Sequence, residues 1–426
     1  MNFQELYVVC QIEDFSLKVM VNNYVNNQIQ ILYKETIDTE QFSENGVIIN
    51  PLATGHLLRQ IINKINNTLN IKVQRIALTL PSNNLKIYQS QALLDFKDPN
   101  HIITNEDCSK VIEMAKNIII DSNEIICLTK PYNFKVEHGI GSEQLPIAKK
   151  GQVVHVEALV YSLPKILYNS HLAVVTNAQT ELLTVTLDQF ALVCNIKNND
   201  FNRNTVLIDW NVNSTKISVF SNSVLFATTN IKIGWNQIIQ SLMKQMHCGY
   251  DKAEKYLQKI INISSNYLCD VVVDKYVDEQ TKTVVRLTKT DLQTTVKKQI
   301  DEIIACIEYF LDEVSDNNSS DMEIIFTGVT IGLCGFANYF KKYSKLKEVK
   351  YMLNQAPGAY SYQWTTLIGN THYQHLVNVF NNNYISSIYK PEIVSKLNHY
   401  TQPNSHDNKH YNSPFQPNYQ YNDGSK

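Results

Sequence analysis

Few side chains in this 426-residue chain stand where they could do chemistry. His247 and Cys248 adjoin, with Asp251 close behind, a set that suggests a nucleophile and its base. Sequence neighbours on a helix point apart, and no third group orients the imidazole, so the pair reads as structural. His399, His406 and His410 offer metal ligands but lie in a polar stretch with nothing to fix their geometry. Asp270 and Asp274 flank Val271-Val272-Val273 and read as strand-end residues. The 8 cysteines contain no C-x-x-C pair, which argues against zinc and dithiol sites and for free thiols in a reducing compartment. The most suggestive charges are basic: Lys282, Arg286, Lys289, Lys297 and Lys298 precede and open a long amphipathic helix. An acidic partner would complement them, while an ordinary solvated face is the plainer reading. Glycine is scarce, 13 residues in 426. Loops that cradle phosphates need glycine so that backbone N–H groups approach the anion closely.

Composition narrows the classes further. Hydrophobic residues at 44% and charged residues at 18% make a globular chain, long enough for two to four units. Lys+Arg 38 against Asp+Glu 40 leaves a net charge of -2, so no global basic field is available for nucleic acid or an anionic membrane. No signal peptide and no apolar stretch of about 18 residues is evident, and a cytoplasmic location is expected.

The elements that must position any site show a repeat. Strands are expected at 6–13, 16–21 and 28–33, a helix at 53–69 and a strand at 75–80. Leu57, Leu58, Ile61, Ile62, Ile65 and Leu69 give that helix one apolar face. Strands at 204–210, 215–220 and 224–233 and a helix at 235–246 repeat the order, the outline of a duplicated fold. Between the halves, residues 84–162 read as a compact α+β stretch. Its helix opens on Thr104 with Asp107 three residues later, and Val111, Ile112, Ala115, Ile118 and Ile119 form its stripe. Thr290 with Gln293 is expected to open the longest helix. Beyond residue 400 the chain has too few aliphatics to bury and reads as disordered.

To about residue 390 the chain resembles the FtsA family, actin-like adaptors of bacterial cytokinesis. Thr104-Asn-Glu-Asp-Cys-Ser-Lys-Val-Ile-Glu-Met-Ala-Lys116 is similar to the helix of the family's extra subdomain, called 1C or SHS2. Actin and the Hsp70 chaperones lack it, and the pilus protein PilM carries it. The runs 125–134 and 153–160 resemble the strands that follow, 337–343 the helix after an adenosine loop, and 360–369 a closing connector. The resemblance implies an α/β, two-lobed actin-like fold. It divides the chain into 1A (1–83, 163–203 and a closing segment 371–398), 1C (84–162), 2A (204–232 and 303–370), 2B (233–302) and a tail (399–426).

The family's ATP loops are where the chain departs. The first, approximately E-I-G-T-x-K, corresponds to Glu13-Asp14-Phe15-Ser16-Leu17-Lys18, with Phe15 in place of glycine. The second, D-I-G-G-G-T-x-D, corresponds to Asp209-Trp210-Asn211-Val212-Asn213-Ser214-Thr215-Lys216, with all three glycines gone and Lys216 in place of an acid. The adenosine loop T-G-G appears as Thr327-Gly328-Val329, again with one glycine lost. ATP and Mg²⁺ are the cofactors the resemblance implies, and these losses argue for a pseudo-ATPase. Lys216 is expected either to pair with Asp209 or Glu13 or to face solvent.

As partners the resemblance implies the C-terminal peptide of FtsZ, received on 2B near Arg286, Lys289, Lys297 and Lys298, and self-association through 1C at the division site. The family's basic membrane helix has only a short, poorly charged counterpart at 391–400, so membrane contact is expected to be weak or indirect. The rival readings are a working actin-fold ATPase and a PilM-like pilus scaffold.

Overall fold

The structure, a computed structural model, describes residues 5–26, 28–38, 41–196, 204–221, 224–265, 271–277, 280, 282–314, 322–345, 349–352, 354, 356–381 and 384–388. The expectations for Asp270, for a helix at 391–400, for the tail and for its three histidines lie outside these residues. The chain divides into two compact units, Met1–Asn198 with Asn354–Lys426, and Asn199–Leu353.

The first unit opens with β1 (Glu5–Ile12), β2 (Ser16–Val25) and β3 (Gln28–Asp38), then the short β4 (Ser43–Glu44) and β5 (Val47–Ile48). Next come α1 (Pro51–Leu69), β6 (Arg75–Leu80), β7 (Lys86–Asp95), α2 (Asn105–Lys116), β8 (Glu124–Val136) and β9 (Val153–Pro164). The run closes with α3 (Lys165–Asn177), β10 (Glu181–Leu187) and α4 (Asp188–Cys194). Its main sheet has the order β10-β6-β1-β2-β3. Every residue of β1 is buried, as expected of a central strand covered on both faces. Helix α1 starts where Asn50 accepts the N–H of Ala53 at 3.0 Å and Pro51 fills the first turn. It ends on Asn70 in the left-handed conformation, and Leu58, Ile61, Ile62 and Ile65 form its buried stripe.

The second unit holds β11 (Thr205–Trp210), β12 (Thr215–Ser221), β13 (Val224–Ile231), α5 (Trp235–Met246), α6 (Tyr250–Lys259), β14 (Val272–Val277) and β15 (Val284–Thr288). It continues through α7 (Lys289–Val314), β16 (Glu323–Gly328), α8 (Phe336–Tyr343) and β17 (Val349–Tyr351). Its sheet, β13-β12-β11-β16-β17, repeats the first. In each, the first strand is antiparallel to the second and parallel to the strand that follows the helix. The duplication expected from sequence is therefore real. The halves differ in where extra elements enter. In the first unit β7, α2, β8 and β9 stand between β6 and α3; in the second α6, β14 and β15 stand between α5 and α7.

The 84–162 stretch is a three-stranded sheet, β7-β9-β8, carrying α2. Its capping box is complete: Thr104 Oγ1 accepts the Asp107 N–H at 3.2 Å, and Asp107 accepts the Thr104 N–H at 2.9 Å. Val111, Ile112 and Ala115 are buried as expected, but the helix stops at Lys116 and Ile119 is 99% exposed, because Asn117 takes the C-cap. A second correction concerns α7. Thr288 and Asp291 cap it, with Thr288 N–H to Asp291 at 2.8 Å and Asp291 N–H to Thr288 Oγ1 at 3.2 Å. Thr290 and Gln293 therefore lie inside the helix. The second unit ends at Leu353, well before the expected boundary at 371. Ala359, Trp364, Leu367 and Ile368 pack with Tyr7, Val9 and Met20, so the last helix among the described residues, α9 (Thr365–Asn381), belongs to the first unit.

Candidate functional site

In both sheets the parallel central strands deliver their C-terminal ends to one edge, the edge where open α/β sheets bind ligands. The corresponding loops are the β1–β2 and β11–β12 turns and the end of β16, so the sequence-selected residues do stand at such edges.

In the first unit the β1–β2 turn closes through Glu13 N–H to Ser16 O at 2.8 Å. Lys18, almost fully buried, sets its ammonium 2.6 Å from the Glu13 carboxylate, and Ser16 Oγ donates to the same oxygen at 3.1 Å. Phe15 occupies the tip, partly exposed. Asp14 is taken up by Ser43, whose Oγ donates at 2.7 Å. The acid and the base of this loop thus neutralise each other.

In the second unit Asp209 and Lys216 face each other directly across the β11–β12 ladder, and both are buried. Burial rules out the solvent-facing placement of Lys216. Asn211 Nδ2 donates to Asp209 at 2.7 Å, and Asn211 N–H closes the turn on Ser214 O at 2.8 Å. Asn213 Oδ1 accepts from Asn236 Nδ2 at 2.7 Å. The first-turn amides of α5 bond back to the same loop: Trp235 N–H to Asn211 O at 3.1 Å and Asn236 N–H to Val212 O at 2.8 Å. These donors at the helix start are consumed by protein carbonyls.

On the neighbouring strand Thr327 lies beside Asp209 and Gly328 beside Trp210. Gly328 has φ +91°, and a Cβ there would fall 2.2 Å from the Trp210 carbonyl oxygen. This glycine is required by the backbone itself. By contrast, no residue of the 13–16 or 211–214 turns has positive φ. Where the glycines are missing, the chain has adopted conformations open to any L-residue.

A hydrated Mg²⁺ with a nucleotide needs accessible carboxylates and unspent backbone amides. Here Glu13 is matched by Lys18, Asp209 is bonded by Asn211 opposite a buried lysine, and two α5 amides are spent. These residues do not fit that group. Among the described residues no cluster of three or more His, Cys, Asp or Glu side chains is placed to hold a metal ion.

The other sequence candidates separate. His247 caps α5 in the left-handed conformation and packs on Tyr276, ring centroids 4.2 Å apart, while burial first of all raises the Cys248 thiol pKa. Neither behaves as half of a nucleophilic pair. Asp274 is not a strand-end residue but sits within β14, 2.7 Å from Lys252. The basic run does not act as one group. Lys297 donates to Ser265 O at 3.5 Å and lies over the Tyr339 ring, Lys298 is exposed on α7, and Lys289 begins that helix. Arg286 is exposed on β15, directly opposite exposed Lys275 of β14, with the pair Val277 and Val284 beside them. Lys275 escaped the sequence reading because only the strand register brings it to Arg286.

No protein-family model matches the chain. It is 23% identical over 263 residues to the cell division protein FtsA of Bacillus subtilis, covering 61% of this chain and 59% of that protein. It is 19% identical over 240 residues to FtsA of Streptococcus pneumoniae, covering 56% and 52%. The chain therefore spans less than two thirds of either relative. Among solved structures it is similar to the PilM–PilN type IV pilus biogenesis complex, with TM-score 0.56, 10% identity and 86% of this chain against 98% of that one. It is also similar to MreB5 of Spiroplasma citri bound to ADP, with TM-score 0.53, 11% identity and coverage of 89% and 99%. The fold is the two-lobed α/β actin-like one. The chain has this fold and a distant sequence similarity to two FtsA proteins. No helix among the described residues is long and apolar enough to cross a membrane.

Proposed function

We propose that this actin-like protein is an FtsA-like scaffold of cell division that organises FtsZ filaments without an ATPase cycle. The observation that carries the reading is a pair of loops, one at the ligand edge of each unit's own sheet. Each is closed by its own side chains, Lys18 on Glu13 and Asn211 on Asp209, in conformations that need no glycine. Likeness to two FtsA proteins supports the division assignment, as does the α+β module between β6 and α3, where the resemblance expects the 1C subdomain that mediates self-association.

For the FtsZ C-terminal peptide, the outer face of the β14–β15 hairpin is the best-matched surface. Lys275 and Arg286 repel each other when directly opposed, and an acidic segment between them would relieve this. Exposed Val277 and Val284 supply apolar contact. Lys289 and Lys298 would form the rim. Membrane contact would be indirect, through a partner.

The test is fluorescence anisotropy with a labelled FtsZ C-terminal peptide. Lys275→Glu with Arg286→Glu should weaken binding at least about tenfold, the effect of roughly 1.4 kcal/mol. Unchanged binding removes the hairpin from the reading, and no binding to the native protein removes FtsZ. Titration with Mg–ATP should show no micromolar affinity; such affinity, or turnover, would overturn the pseudo-enzyme assignment.

A further inference from the structure

The central sheet of the first unit contains a splice. β1 and β6 pair in parallel only at Val9↔Ala77, Cys10↔Leu78 and Gln11↔Thr79, although both strands begin earlier. Continuing the register would set Tyr7 beside Arg75. At that level the strands instead part around Ser387, a fully buried residue from the segment after α9. Ser387 N–H donates to Leu6 O at 2.8 Å, its carbonyl accepts from Gln74 N–H at 3.0 Å and Arg75 N–H at 3.2 Å, and its Oγ accepts from Val8 N–H at 2.8 Å.

These are the groups a direct ladder would use. A parallel strand residue bonds to the two residues flanking its partner, so Arg75 N–H would meet Leu6 O and Val8 N–H would meet Arg75 O. Ser387 intercepts three of these four groups, Arg75 N–H, Leu6 O and Val8 N–H. The segment is held from the helix side as well. Asn378 of α9 donates to Ile385 O at 2.9 Å and to Tyr7 Oη at 2.7 Å, and accepts Ile385 N–H at 3.2 Å.

We propose that residues 384–388 are an exchangeable wedge. Seated, the wedge spaces β1 from β6; withdrawn, it lets the two strands pair directly along their full length. Direct pairing would re-satisfy Arg75 N–H, Leu6 O and Val8 N–H, so the exchange costs the backbone only the Gln74 N–H bond to Ser387 O. The chain continues from Ile388 to Lys426, so engagement of that continuation by a partner would be felt at β1, whose far end is the Glu13–Lys18 turn. The device concerns the first unit alone and does not depend on FtsZ or on nucleotide.

The test is residue-resolved hydrogen exchange on the full-length chain. Amides at 385–388 should exchange at least about tenfold faster than those of Val9–Gln11, through an opening that spares the sheet. Ser387→Pro removes the donor to Leu6 and should free the segment while Val8 and Arg75 stay protected, now by each other. Loss of protection at Val8 and Arg75 in that variant would overturn the proposal. So would exchange of the native Ser387 amide only at the global unfolding rate. If Ser387→Pro fails to fold, the native comparison decides alone, and Ser387→Gly, which keeps the N–H but loses the Val8 bond, should speed exchange of the segment further.

Discussion

Replacing Lys216 by Met tests whether its ammonium has become the counter-ion of Asp209. The two residues are directly opposed on adjacent strands and nearly inaccessible, 6% and 7% exposed, and Asp209 has Asn211 as a neutral donor. Two unit charges about 4 Å apart at an effective dielectric near 20 attract by about 4 kcal/mol. Stranding one member of a buried pair typically costs about 3 kcal/mol or more, because the remaining charge keeps its desolvation penalty. Lys216→Met should therefore destabilise the protein by about 3 kcal/mol. Asp209→Asn with Lys216→Met should recover most of that loss, since neither charge is then left unpaired. Urea unfolding of the four proteins in a double-mutant cycle isolates the coupling. A single-variant cost below about 0.5 kcal/mol, or strict additivity, would show that Lys216 serves some other group and that the second loop is not held by charge.

Other perturbations probe the frame around the loops. His171 is fully buried and donates Nε2–H to Gly46 O at 3.0 Å; burial lowers its pKa from 6.5 to about 4. A group depressed in the fold contributes stability above its unfolded pKa, and that stability is lost as pH falls from about 6.5 towards 4. The change is about 3 kcal/mol, visible as a falling Tm that His171→Gln should flatten. Thr104→Ala removes one arm of the α2 capping box and should cost about 1 kcal/mol in urea unfolding with no change in peptide binding. Gly328→Ala forces a left-handed Cβ into the Trp210 carbonyl and should cost more than about 2 kcal/mol, read as a drop in the urea midpoint.

Much of this fold was legible because its signals are local and periodic. The strand at Arg75–Leu80 and the helix at Trp235–Met246 fall where apolar pattern and turn residues put them, and the Thr104–Asp107 box forms as written. The failures are of two kinds. At α7 two overlapping Thr-x-x-Asp/Gln signals competed, and the earlier one won because the carboxylate of Asp291 reaches back to Thr288, while Gln293 is buried and donates to Asn262 O at 2.7 Å. At the return to the first unit, pattern alone could not say against which core Trp364 and Leu367 would pack. The candidate loops were found by resemblance, and the Lys18–Glu13 pair needed coordinates because no sequence rule sets five-residue contacts across a turn. Lys275 and Ser387 were out of reach for the same reason: each matters only through a register or a contact made far along the chain.

The glycines left in the chain sharpen the argument about the loops. Gly369 lies where α9 crosses α4, and a Cβ there would come within 1.8 Å of the Ala191 carbonyl oxygen. Gly328 is likewise pinned against Trp210. Both are demanded by protein touching protein. The 13–16 and 211–214 turns hold no glycine and no left-handed residue, and each is closed by polar side chains of its own. At Gly328 and Gly369 protein contact requires that no Cβ be present; in the two turns, where lysine and asparagine bond the acids, the backbone requires no glycine.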